Sequence, residues 1–144
     1  MIALDANVLV AALRSTTGCS RVLLKRVLLG EFLAVVSVPL FLEYEAVLTR
    51  SKHLAAFQLA EQEVVEFLDG PAGRLAPVEI SYLWRPQLRD ASDEMVLEAA
   101  ANGAVSHLVT WNGKDFLPAA EKFGIAVVTP AAFIAAHLPT RQKE

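Results

Sequence analysis

Residues 1–10 read MIALDANVLV, and the rest of the chain follows from how they are taken. Ile2, Ala3 and Leu4 form a short apolar run that stops at Asp5; after Asn7 a second run, Val8 to Leu13, is long enough to continue as a helix. The first run therefore reads as a buried strand. A carboxylate at the carboxyl end of such a strand, just before a helix, sits where open α/β sheets place their chemistry. Asp and Asn are also common helix caps, so Asp5 by itself fits either role. The balance shifts because further acids stand near the ends of later apolar runs.

Outward from this start, Arg14 to Gly18 is polar and turn-forming. Ser20 then caps a helix to about Leu29, with Val22, Leu23, Val27 and Leu28 inside, Arg21, Lys25 and Arg26 outside and Gly30 as the stop. Phe32 to Val36 reads as a buried strand ending at Ser37, and Pro39 suits the first turn of the helix that follows. On that helix Glu43 and Glu45 cannot share a face. Glu43, about one turn past the strand end, is expected in the cleft, and Glu45 in solvent. Leu54 to Leu68 reads as one helix, and Pro77 to Trp84 as a strand or a packed loop, with Tyr82 and Trp84 as core plugs.

A second acidic focus is RDASDEMVLEAAANG, residues 89–103. Asp90 caps a helix that Gly103 ends, and Asp90, Asp93 and Glu94 fall at i, i+3 and i+4, on one side of its first turn. Acids there suit the helix dipole, yet three in five residues exceed what capping needs. His107 to Val109 forms a strand leading into Thr110, Trp111, Asn112, Gly113, Lys114 and Asp115. A short helix from Pro118 to Lys122, a last strand at Ile125 to Val128, a helix to about His137 and a polar tail complete the chain. The expected organisation is a single domain over residues 1–138 with a tail at 139–144.

Composition excludes several classes. With 54% hydrophobic and 20% charged residues the chain is not disordered, and no run reaches the roughly 18 uncharged apolar residues that span a bilayer. A secretory leader is not expected either, because a basic start is missing and Asp5 interrupts the apolar stretch. A soluble cytoplasmic protein is the expectation. The single Cys19 allows no internal disulfide and is expected to be partly buried and unreactive; His53, His107 and His137 are too scattered for a zinc cluster. The net charge of −3 argues against a general nucleic-acid coat, though not against a local basic face. The apolar surplus suggests a patch for self-association or a partner.

Strand-like runs alternating with helices imply a central, mostly parallel sheet covered on both faces. Right-handed crossovers keep all strand carboxyl ends on one edge, so Asp5, Glu43, Asp93 and Asp115 can converge. Four carboxylates brought together repel and take up protons unless a cation compensates them. All-oxygen donors select Mg²⁺ or Mn²⁺ over zinc, and such an ion can activate water against a phosphodiester.

LDANV at the start, Ser37 followed by Glu43, RDASDE, and VTWNGKDF, in this order, resemble a PIN domain, similar to the VapC-type toxin ribonucleases of prokaryotic toxin–antitoxin pairs. Each motif is weak alone, but the ordered set is specific and covers nearly the whole chain. The resemblance implies a three-layer α/β/α domain and a Mg²⁺- or Mn²⁺-dependent endoribonuclease that cuts single-stranded or loop RNA. Asp5, Glu43 and Asp93 match the family's metal-binding, water-activating acids, and Asp115 the more variable fourth. Thr110 and Asn112 match polar strand-end residues that hold a carboxylate or water, Asn7 would do the same for Asp5, and Asp90 would cap its helix. Arg14, Lys25, Arg89 and Lys114 are candidate RNA contacts by position. A homodimer and a small antitoxin that blocks the pocket are also implied.

Two other readings compete. A strand-end aspartate can serve as the nucleophile of an aspartyl-phosphate phosphatase, but the haloacid-dehalogenase pattern needs a second Asp where this chain has Asn7. A PIN scaffold that only binds RNA or protein is the stronger rival; against it, a dead site has no physical need to keep four carboxylates together.

Overall fold

The computed structural model describes residues 1–70, 74–82 and 86–137. In chain order they form β1 (Ile2–Leu4), α1 (Ala6–Arg14), α2 (Cys19–Leu28), β2 (Val35–Val36), α3 (Val38–Leu48), α4 (Ser51–Phe57) and α5 (Glu61–Asp69). β3 (Ala76–Pro77), α6 (Ala91–Asn102), β4 (His107–Val109), two 3₁₀ turns (Gly113–Phe116 and Ala119–Phe123), β5 (Ala126–Val128) and α7 (Pro130–His137) follow. The expected core position of Trp84 and the expected tail at 139–144 lie outside the described residues.

Every strand pair among the described residues is parallel. β4 lies between β1 and β5, with Leu4 opposite Val109 and Val109 opposite Val128. β2 pairs with β3, and a single bridge from Ile2 to Ala34 joins the two groups, giving the order β3-β2-β1-β4-β5. The chain thus builds outward from β1 on one side and then crosses to build outward on the other. The reversal falls between β1 and β4, and a crevice opens at such a reversal beyond the strands' carboxyl ends. Asp5 and Thr110 are the first residues past those two ends.

Helices cover both faces, giving the three-layer α/β/α arrangement that the sequence predicts. α6 packs on β1, β2 and β4, while α1 packs against α2 and α3, and α2 against α7. Leu4, Leu9, Leu40, Leu108 and Phe116 are fully buried between the layers. Tyr44, also fully buried, donates its hydroxyl proton to the Leu4 carbonyl at 2.6 Å and so ties α3 to the end of β1. No described helix is long and apolar enough to cross a membrane.

Several elements differ from the sequence reading. Gly18, not Ser20, is the N-cap residue of α2; Ser20 lies inside the helix and is buried. The strand expected over Phe32 to Val36 pairs regularly only at Val35–Val36, with Leu33 and Ala34 making isolated contacts to Ile2. Of the described residues in the stretch Pro77 to Trp84, only Pro77 lies in a paired strand, at the sheet edge where proline is tolerated, and Val78 adds one bond to the Val36 carbonyl. Tyr82 is exposed, which overturns its expected role as a core plug, and Cys19 is exposed rather than partly buried. The single helix expected over Leu54 to Leu68 is two, broken where Gln58 takes a left-handed φ of 59°. The Glu63 side chain then accepts the Ala60 amide proton and starts α5. The short helix after Pro118 is a 3₁₀ turn, closed by Gly124 at φ 71°.

Candidate metal and nucleic-acid site

The crevice edge is set by β1 and β4. Asp5 has the backbone of a helix cap but makes no side-chain capping bond. Instead its Oδ2 accepts the Thr110 hydroxyl proton at 2.7 Å, across the strand pair. The Thr110 oxygen in turn accepts from Asn7 Nδ2 at 3.3 Å and from the Asn112 amide at 3.0 Å. Asn7 Oδ1 accepts the Trp111 amide at 3.3 Å. Thr110 is wholly buried and Asp5 nearly so, so this network fixes the rotamer of a buried carboxylate. Asn7 acts on Asp5 through Thr110, and it is the Asn112 backbone that takes part in the network.

α6 and its leading loop supply the second wall. Asp90 caps the helix by accepting the Ser92 amide at 2.9 Å. Asp93, one turn in, is half-buried and belongs to the crevice. Glu94 departs from the expected cluster. Its carboxylate is buried and accepts the Gln87 amide at 3.0 and 3.1 Å and the Leu88 amide at 3.0 Å, holding down the loop that carries Arg89 and Asp90. A groove of about 600 Å³ runs along this loop, lined by Arg89, Asp90, Asp93, Lys114, Asp115 and Pro118 among others. Arg89 and Lys114 thus stand beside the acids. Arg14, at the end of α1, instead contributes positive charge at His53, and Lys25 is exposed on α2. Neither lines the groove.

Electrostatics tie the acids together. Burial pushes the Asp93 carboxyl up to about 7, and the charges of Asp5, Asp90, Asp115 and Glu43 push in the same direction. Burial raises Asp5 as well, against the Thr110 hydrogen bond and the nearby Ala6 and Asn7 amides, with Asp115 adding to the rise. Glu43 is raised by burial, opposed by the Arg50 charge and reinforced by Asp90 and Asp5. Glu43, rather than Glu45, is therefore the α3 acid coupled to the crevice. Glu45 is itself half-buried rather than free in solvent. Among the described residues none of these acids stands in an ion pair; the pair observed joins Arg26 to Glu31.

The donor set fits a hard divalent cation. It is all oxygen, among the described residues none of its members is ion-paired to Lys or Arg, and Asp5, Glu43 and Asp93 are held toward their protonated forms, from which a bound cation would release the protons. Among the described residues no three His, Cys, Asp or Glu side chains are close enough to cage an ion on their own. Mg²⁺ commonly keeps several waters and takes only one or two carboxylates directly, so a spread arrangement suits it.

Metal-free stability should carry the signature of this strain. The folded state holds the Asp93 proton more tightly than the unfolded chain, about 7 against the ordinary 3.8. The unfavourable charge is therefore fully present above pH 7 and is relieved as pH falls through 7 toward 4. In EDTA, Asp93→Asn should raise Tm at pH 8, and the gain should shrink to nothing near pH 4. Parallel thermal melts of the two proteins across that range check it.

Sequence reasoning missed three supports of the site: the Tyr44 bond to Leu4, the loop-holding role of Glu94, and the bond at 2.9 Å from Trp111 Nε1 to Ser20 Oγ. The one available signal was the apolar company of Tyr44 and Glu94 within their helices. PIN domains are typically nucleases, and those nucleases generally use divalent metals. No curated protein matches the chain. A family model of the PIN domain matches residues 1–114, most of its length, and the chain belongs to the PIN-domain family.

Proposed function

We propose that this protein is a Mg²⁺- or Mn²⁺-dependent endoribonuclease acting on single-stranded or loop RNA, with Asp5, Glu43, Asp93 and Asp115 as its metal-holding acids. The observation that carries the proposal is that Asp5, Glu43 and Asp93, near the sheet's switch point, are raised by burial and by one another's and Asp115's charges, with none of the four ion-paired among the described residues. A bound ion there would activate a water and stabilise the charge that develops on the phosphodiester oxygens. The protein's own groups do the rest. Thr110 holds Asp5 in one orientation, while Asp93 carries a proton near neutral pH that it must give up when a cation binds. Arg89 and Lys114, beside the acids, are placed to meet the RNA backbone.

This reading extends to the toxin half of a toxin–antitoxin pair, cytoplasmic and homodimeric, inhibited by a small protein. An apolar groove of about 640 Å³ between α3 and β3, lined by Val36, Val38, Phe41, Leu75, Pro77 and Val78, supports a protein partner of some kind. The alternative of a binding-only scaffold predicts RNA binding without cutting. A panel of single-stranded and hairpin RNAs incubated with Mn²⁺, with EDTA, and with the Asp93→Asn variant decides between them.

A further inference from the structure

We propose that the Trp111 indole is a stacking platform for one unpaired nucleobase of the substrate. The proposal rests on the ribonuclease reading and specifies how that site would select single-stranded RNA. Trp111 follows directly on Thr110, the residue bonded to Asp5, and its amide is held by Asn7, so its backbone is fixed to the acidic crevice. Trp111 as a residue is 41% exposed, although tryptophan is highly buried on average. Its only polar group is already used, since Nε1–H donates to the buried Ser20 at 2.9 Å. What remains to offer is ring surface, held in one orientation from two sides. Such a surface accepts any base, because every base has a π-face, and a base locked in a duplex cannot reach it.

The surroundings favour a base over a protein side chain. Interface tryptophans sit in well-packed apolar centres. Around Trp111 the chain exposes Asn112, Lys114 and Asp115, whereas the apolar groove lies at α3 and β3, lined by Val38, Leu75 and Val78. A ring that stacks on no other among the described residues, close in sequence to a groove-lining lysine, suits a nucleotide, with its base on the ring and its phosphate toward Lys114.

The test uses the protein carrying Trp84→Phe, which leaves Trp111 as the only tryptophan of the two. In Ca²⁺ buffer its emission is titrated with a short single-stranded RNA and with the same sugar-phosphate chain lacking bases. The RNA should quench the emission and the abasic chain should not. Trp111→Ala should weaken RNA binding about 5- to 100-fold and raise KM more than it lowers kcat, while Trp111→Phe, checked for folding by circular dichroism, stays within a few-fold. Equal emission with both chains, or unchanged affinity in the alanine variant, overturns the platform and leaves the ring free for a protein partner. The nuclease reading fails separately: quenching by RNA, combined with cutting that is absent or untouched by Asp93→Asn, keeps the platform and removes the metal chemistry.

Discussion

Asp93→Asn is expected to lower the rate of RNA cleavage on the order of 1,000-fold while leaving the fold intact. The substitution keeps the shape of the side chain but removes the charge most strongly coupled to Asp5, Asp90, Asp115 and Glu43. A hard cation held by fewer carboxylates binds more weakly, and several kcal/mol of stabilisation of the developing phosphate charge disappears with it. The loss in activity should accompany the gain in metal-free stability at pH 8, since both arise from the same repulsion. A variant that loses activity because it unfolds would show a falling Tm, so the two measurements separate the causes. Excess Mn²⁺ should recover part of the activity if weak metal binding is the fault.

Thr110→Val is expected to cost about 2 kcal/mol of stability at neutral pH, and with it a large part of the activity. Valine fills the same volume, so packing changes little. The Oδ2 atom of buried Asp5 loses a bond of 2.7 Å, and the Asn7 side chain and the Asn112 amide lose their common acceptor. For a chain of this size the loss corresponds to a fall in Tm of about 4–8 °C. Freed from this tether, Asp5 no longer presents its carboxylate in one orientation, and metal affinity should drop about 10- to 100-fold. Thr110→Ser, which keeps the hydroxyl, should retain most of both properties. Denaturant melts and metal titrations of the two variants read the difference. A loss in the serine variant with none in the valine variant would show that the methyl group matters and the hydroxyl does not.

The legible part of this molecule lay in its punctuation. Asp5 after Leu4, Thr110 after Val109, and Asp90 before α6 each sit where an apolar run changes period, and the parallel crossover rule alone brings them to one edge. Glu43 was separable from Glu45 because residues two apart on a helix lie slightly more than half a turn from each other. What was not legible depends on partners distant in sequence. Glu94 shares a helix turn with Asp90, but the backbone amides of Gln87 and Leu88, whose hydrogen bonds it accepts, draw it into the protein. Trp111 was one more aromatic at a strand end until Ser20, ninety-one residues earlier, accepted the hydrogen bond from its indole N–H. The break at Gln58 was invisible because a glutamine carries no helix-stop signal; on either side of it α4 and α5 each pack against α3. Tyr82 shows the reverse: its backbone amide is held by the Asn102 side chain, which leaves the ring in solvent.

The convergence of acids into a divalent-cation site is the claim on which the rest depends, and calorimetric titration of the purified protein with Mn²⁺ tests it most directly. Binding by the native chain near pH 7, accompanied by proton release from Asp93 and abolished or sharply weakened in Asp93→Asn, is the predicted result. Native protein that takes up no Mn²⁺, or an Asp93→Asn variant that binds it equally well, would contradict the account.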